Sequence, residues 1–143
     1  MTSMKGKVFI DTNVLIYLFS TDEPEKRIHC NKLLSSLEKD HVMVWSTQVV
    51  QEFYNTLTRK LGVSPLKLKS YFSYFGSFEL VVNNMTTINT AIDIQINNQL
   101  TFWDSLIVSA AHQANCSTLL SEDLTHSQKI DTLTIQNPFE LGY

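Results

Sequence analysis

The stretch KVFIDTNVLIYLF, Lys7 to Phe19, sets an acid, Asp11, and an amide, Asn13, into a nearly unbroken apolar run. β-Branched and aromatic residues dominate Lys7 to Asp11, which predicts a short buried strand. Asn13 to Phe19 predicts a helix opening directly from its end. Asp11 then stands at a strand-to-helix turn. An unpaired carboxylate is costly to bury, so a sequence that ends its first strand on one must supply a partner.

The bulk properties narrow what that partner can be. The chain has 143 residues, 43% of them apolar, which fits a single domain over 1–143 with one core. A formal net charge of -3 argues against a protein that coats nucleic acid through overall charge and leaves only a local basic patch for that purpose. Cys30 and Cys116 match no CxxC or Cys/His zinc spacing, and the 4 histidines do not complete one, so both thiols are read as reduced and structural. The N-terminal apolar run is broken at Asp11 and Asn13, has no small-residue cleavage pattern, and falls short of the roughly 20 residues that span a bilayer. A cytoplasmic protein with no membrane partner is the expectation. The 4 Gly and 3 Pro fall singly, so no repeat or linker divides the chain.

Strand and helix signals alternate from there on. Pro24 to Glu38 reads as a helix with Ile28, Leu33, Leu34 and Leu37 on one side, His41 to Trp45 as a strand, and Thr47 to Leu61 as an amphipathic helix. Ser64-Pro65 is an N-cap followed by proline at the first helical position, opening a helix to about Phe75. Phe78 to Val82 is a third strand, Thr86 to Asn98 and Phe102 to Asn115 are helices, and Ser117 to Leu120 and Thr132 to Ile135 are the last strands. Parallel strands need crossovers, and crossovers carry helices. The predicted fold class is therefore α/β, a three-layer sandwich with a central parallel sheet of about five strands flanked by helices. Ligands in such sheets bind beyond the carboxyl ends of the strands, where Asp11 falls after the first strand and Ser121-Glu122-Asp123 after the fourth.

Two further acids lie on helices. In STQVVQEFYNTLTRK the buried stripe is Val49, Val50, Phe53 and Leu57, and Glu52 heads another face with Asn55, Thr56 and Arg59. In LTFWDSLIVSAAHQANC the stripe is Leu106, Ile107, Ala110, Ala111 and Ala114, with Asp104 in the first turn. With ordinary crossovers, Glu52 and Asp104 point to the same sheet edge as Asp11 and Asp123. Carboxylates gathered in this way repel one another unless a cation neutralises them. Mg2+ or Mn2+ suits that need, because hard divalent ions take carboxylate oxygens and waters. A carboxylate-only site that keeps metal waters suits hydrolysis of a phosphodiester.

FIDTNVLIYLF, the Glu52 helix, FWDSLIVSAAHQANCSTLLSEDL and the closing IQNPF together resemble a PIN domain, in particular the toxin nucleases of VapBC-type toxin-antitoxin pairs. The resemblance covers nearly the whole chain. It implies a five-stranded parallel sheet, a Mg2+- or Mn2+-dependent ribonuclease acting on RNA, a cognate antitoxin and a homodimer. Asp11, Glu52, Asp104 and Asp123 match the family's four acidic positions, Asn13 its polar residue beside the first acid, and Ser121 its Ser/Thr before the fourth.

Plainer roles compete at each position. Asp11 and Asn13 could cap the helix that follows, Thr101-x-x-Asp104 resembles a capping box, and Glu52 could be an ordinary exposed helix residue. Glu122 reads as a solvated loop acid and His112 as a surface residue. Arg59, Lys60, Lys67 and Lys69 read as solvated surface sooner than as a phosphate guide. YFSYFGSF, Tyr71 to Phe78, is richer in aromatics than one helix face can bury, which leaves two readings: some rings form an interface, or Phe72, Phe75 and Phe78 are core and the tyrosines lie flat at the surface. Two rival functions stand beside the nuclease: a PIN fold that binds RNA or protein without cutting, and a haloacid-dehalogenase-like phosphohydrolase, which would want an Asp where Asn13 stands.

Overall fold

The computed structural model describes residues 6–141. Strand β1 (Lys7–Ile10) is buried from Val8 onward and occupies the middle of a 6-stranded sheet of order β3-β2-β1-β4-β6-β5. Its parallel neighbours are β2 (Val42–Ser46), with Phe9 opposite Val44, and β4 (Thr118–Leu120), with Ile10 opposite Leu120. β3 (Glu79–Val81) lies outside β2, and β6 (Leu133–Gln136) outside β4, both parallel. Strands covered on both faces carry continuous apolar runs, as KVFI, VMVW and TLL do here. Among the described residues six α-helices complete the mixed α/β fold: α1 (Thr12–Tyr17), α2 (Pro24–Glu38), α3 (Thr47–Arg59), α4 (Pro65–Tyr71), α5 (Met85–Asn98) and α6 (Phe102–Gln113). None is long and apolar enough to cross a membrane.

The sheet has one strand more than the sequence predicts. β5 (Lys129–Ile130) pairs antiparallel with β6 across a turn in which Asp131 is left-handed, at φ 54°. Two residues carry no periodicity, so sequence patterning could not register this hairpin. The predicted helix from Pro65 to Phe75 also stops early. It tightens after Tyr71 into a 3-10 turn over Phe72–Phe75. Three residues per turn bring Phe72 and Phe75 onto one side, with Phe78 just beyond.

Those rings fill the core. Phe75 lies 5.6 Å from Phe53 and 5.1 Å from Trp45, Phe78 lies 5.4 Å from Trp45, and Tyr71 stacks on Phe19 at 4.5 Å. Of the run Tyr71 to Phe78, Tyr74 is the large side chain left in solvent. Phe72, Phe75 and Phe78 therefore pack in or against the core, as the plainer of the two sequence readings expects.

Two helix starts bear on function. β2 passes into α3 with no intervening loop, because Ser46 is both the last strand residue and the N-cap, its Oγ accepting from the Val49 amide at 3.4 Å. α3 ends in a turn at Gly62, whose φ of 66° suits glycine and lets the Val63 amide reach the Leu57 carbonyl. α6 opens on Thr101, whose Oγ1 accepts from the Asp104 amide at 3.1 Å. Its last turn meets the first turn of α5, where Ser109 Oγ donates to the Thr87 carbonyl at 2.7 Å.

Candidate active site

The site is built outward from the end of β1. The Asp11 amide continues the pairing with β4 by donating to the Leu120 carbonyl at 3.0 Å, which fixes the side chain at the carboxyl edge. Its Oδ1 accepts from the Thr12 amide at 2.7 Å, so Asp11 does cap α1. Its Oδ2 accepts from Ser121 Oγ at 2.7 Å and from Asn13 Nδ2 at 3.3 Å. The same Asn13 Nδ2 lies 3.1 Å from Asp123 Oδ2, while Asn13 Oδ1 accepts from the Glu122 amide at 3.1 Å. One amide thus joins the ends of β1 and β4, and with them Asp11, Ser121 and Asp123.

Glu52 enters from α3. Its Oε2 accepts from Thr12 Oγ1 at 3.0 Å and its Oε1 from Gln48 Nε2 at 2.9 Å. Gln48 Nε2 also reaches the Trp103 carbonyl at 3.3 Å, which ties the start of α6 to α3. Asp104 is the next residue, half-buried, and its carboxylate makes no hydrogen bond or ion pair among the described residues. The structure therefore joins Asp11, Asn13, Ser121 and Asp123 directly, Glu52 through Thr12, and Asp104 only through main chain and Gln48. Among the described residues, no three acidic, imidazole or thiol groups converge closely enough to hold a metal between them.

Charge has accumulated without compensation. The Asp11 carboxyl is raised from 3.8 to about 6; burial is the largest cause, the hydrogen bonds from Ser121 and Thr12 pull it down, and the charges of Glu52 and Asp123 push it up again. The ion pairs among the described residues are Lys7–Glu79, Lys26–Glu122 and His126–Glu140, none of which involves the four acids.

Comparison with known families places this arrangement. The family model described as PIN domain matches residues 8–129, from β1 into β5, and so takes in all four acids. The chain belongs to the PIN domain family. Solved structures similar to this PIN domain include a toxin-antitoxin complex from Klebsiella pneumoniae (TM-score 0.71, 16% identity, covering 94% of this chain and 99% of that one). A DNA-bound VapBC from Salmonella typhimurium gives a TM-score of 0.69 at 14% identity over 94% and 99% of the two chains. The Mycobacterium tuberculosis VapC20, described as a toxin cleaving the sarcin-ricin loop, gives 0.65 at 15% identity over 78% and 86%. At such identities the likeness carries the fold. The search of curated proteins by sequence returns no match.

Two sequence readings change in this PIN domain. Glu122 is not a solvated loop acid: it accepts from Tyr17 at 2.6 Å and from Lys26 at 2.7 Å. Although burial pushes its carboxyl up, those two partners outweigh the burial and hold it below the usual range. Lys26 in turn lies 4.9 Å over the rings of both Tyr17 and Phe139, so the loop carrying Asp123 is anchored on one flank. His112 is not a free surface residue but joins the Ile130 carbonyl through Nε2 at 3.0 Å, fastening α6 to β5. Thr12 and Gln48 were missed as site residues. Their signals were present, since Thr12 adjoins Asp11 and Gln48 precedes Glu52 by the four residues that make helix neighbours. Arg59, Lys60, Lys67 and Lys69 are all exposed, and Cys30 and Cys116 are free and buried, which pushes both thiols up to about 12.

The raised Asp11 carboxyl yields a signed prediction for metal-free protein. A carboxyl titrating higher in the folded than in the unfolded chain contributes its full stability below about pH 4 and loses it as pH rises through about 6, a loss of up to about 3 kcal/mol. Asp11→Asn cannot ionise, but its amide meets one donor head-on, at a cost of about 1 kcal/mol. In EDTA at pH 7.5 the variant is expected to be more stable by roughly 2 kcal/mol, with the gain vanishing near pH 4. Chemical denaturation at the two pH values checks this; a variant weaker than wild type at pH 7.5 contradicts it.

Proposed function

We propose that this PIN domain is a metal-dependent endoribonuclease that hydrolyses RNA phosphodiester bonds, and that it is the toxin of a toxin-antitoxin pair. The observation that carries the reading is a buried acid, Asp11, sharing an edge with Glu52 and Asp123 while every ion-paired base among the described residues is engaged elsewhere. The structural neighbours, which include toxin-antitoxin complexes and a sarcin-ricin loop cleaving toxin, support the same class.

The donors suit Mg2+ or Mn2+. All are hard oxygens, there is no thiol or imidazole beside them, and Gln48 Oε1 is a further buried oxygen without a partner among the described residues. Asp11, Glu52, Asp104 and Asp123 would hold the ion. When bound, it would acidify the attacking water and steady the leaving oxygen. The protein's own contribution is preorganisation. Thr12 and Gln48 each hold one oxygen of Glu52, Asn13 spaces Asp11 from Asp123, and Ser121 fixes the Asp11 oxygen that faces Asn13.

The Asp104 carboxylate makes no hydrogen bond to that network among the described residues, which favours a second reading, a PIN fold that binds RNA or protein without cutting. Thermal melts titrated with Mg2+ and Mn2+, followed by a cleavage assay on mixed RNA, separate the two. Metal stabilisation with metal-dependent cleavage is expected, and RNA binding without cleavage under either ion selects the binding module. Membership of the PIN family removes the phosphohydrolase.

For partners, an antitoxin would inhibit by laying an Arg across the carboxylates, which accept its paired N–H groups. A homodimer is proposed on a different surface from the aromatic run. Leu80, Val82, Met85, Ile92 and Ile96, on and around β3 and α5, are all exposed apolar side chains. Light scattering that returns only monomer across micromolar concentrations removes the dimer.

A further inference from the structure

The two tryptophans of the chain have opposite environments: Trp45 is 7% exposed and Trp103 64%. Trp103 precedes Asp104 in the first turn of α6, and its carbonyl is held by the same Gln48 amide that holds Glu52, at 3.3 and 2.9 Å. The backbone under this indole is thus clamped to the acidic site by one side chain. The ring itself leans edge-to-face on Phe102, with centroids 5.2 Å apart, and remains largely open to solvent. An exposed indole on a fixed backbone is a poor core residue and a good stacking surface, because it offers a large rigid π-face at little entropic cost.

We infer that Trp103 is a stacking platform for an unpaired nucleobase next to the phosphodiester that the carboxylates address. The inference rests on the nuclease reading and deepens it by assigning Trp103 a base-stacking role beside the acids. A base in a duplex is already stacked on both faces, so an open indole selects single strands, loops or bulges. Stacking also suits an acidic surface, since a neutral base brings no charge toward the carboxylates.

The test uses Trp103 as its own reporter, with Trp45 as the shielded reference. A mixed-sequence 12-nucleotide RNA, and the same strand in duplex, are titrated into the full chain with Ca2+, a hard cation that supplies the positive charge, and the strand is verified intact on a gel. The single strand is expected to quench tryptophan emission and the duplex to do so far less. Trp103→Ala should abolish the quench and weaken binding by roughly 5- to 150-fold, the range measured for losing one base–aromatic stack. Trp103→Phe should recover most of the affinity, and with Mn2+ the alanine variant's loss should fall on KM. Because the residue is exposed, both variants should melt near wild type.

Emission that ignores a strand the enzyme cleaves, with equal Kd for wild type and Trp103→Ala, overturns the stacking role and leaves the nuclease standing. Emission that shifts with protein concentration alone, together with a Trp103→Ala protein that turns monomeric by light scattering, assigns the indole to a self-contact and also overturns it. Quenching without cleavage under Mg2+ or Mn2+ upholds the platform and removes the nuclease.

Discussion

Asp104→Asn is expected to lower RNA cleavage by about two to three orders of magnitude, the scale on which removing one preorganised electrostatic group acts. In metal-free protein the same change should leave stability unchanged or slightly higher. The helix start does not depend on the carboxylate, because Thr101 Oγ1 holds the Asp104 amide. The dipole interaction that is lost amounts to roughly 0.3–1 kcal/mol at most, against relief of repulsion among like charges. The stabilisation conferred by Mn2+ should shrink, since a ligand stabilises the folded state in proportion to its occupancy. Melts in EDTA and in Mn2+, with one cleavage assay, decide it. An apo protein clearly weakened by the change, with metal response and cleavage intact, means that Asp104 serves the helix and not the site.

Phe53→Ala should produce the largest loss of stability. The ring is fully buried on the residue after Glu52 and lies within 5.7 Å of Phe19 and 5.6 Å of Phe75. Truncating a buried phenylalanine removes its transfer energy and leaves a cavity, a cost of about 3–5 kcal/mol, or roughly 10 °C in melting temperature for a chain of this size. Phe53→Leu keeps most of the volume and should lose less than about 1.5 kcal/mol. Urea denaturation measures both. A loss for Phe53→Ala under about 1.5 kcal/mol would mean that the ring cluster closes over the gap.

What could be read from the chain was what local patterning controls. The strand-to-helix turn at Asp11 followed from a β-branched run ending in an acid, and α2 runs from Pro24 to Glu38 as predicted, with Leu33, Leu34 and Leu37 buried, but Ile28, expected on the same side, is exposed. Edges near special backbone shifted: the helix predicted to Leu61 ends at Arg59, ahead of Gly62. The PIN resemblance brought the four acids to one edge in principle, but sequence spacing cannot set hydrogen bonds across helices, and the Asp104 carboxylate is bonded to none of the other three. The Tyr17–Lys26–Glu122 group lay beyond reach for the same reason, since its members are separated by 105 and 96 residues. The aromatic run left two readings open because its burial depends on a tightened helix turn and on rings contributed by Phe19, β2 and α3.

The direct passage of β2 into α3 through Ser46 has a consequence for how this chain can vary. With no slack between them, the register of β2 in the sheet becomes the angular phase of Glu52, 6 residues further on. A single residue inserted there would turn the carboxylate by about 100° around the helix and aim it away from Asp11, with every side chain of the site still present. The chemistry of that junction can drift from residue to residue, but its length cannot.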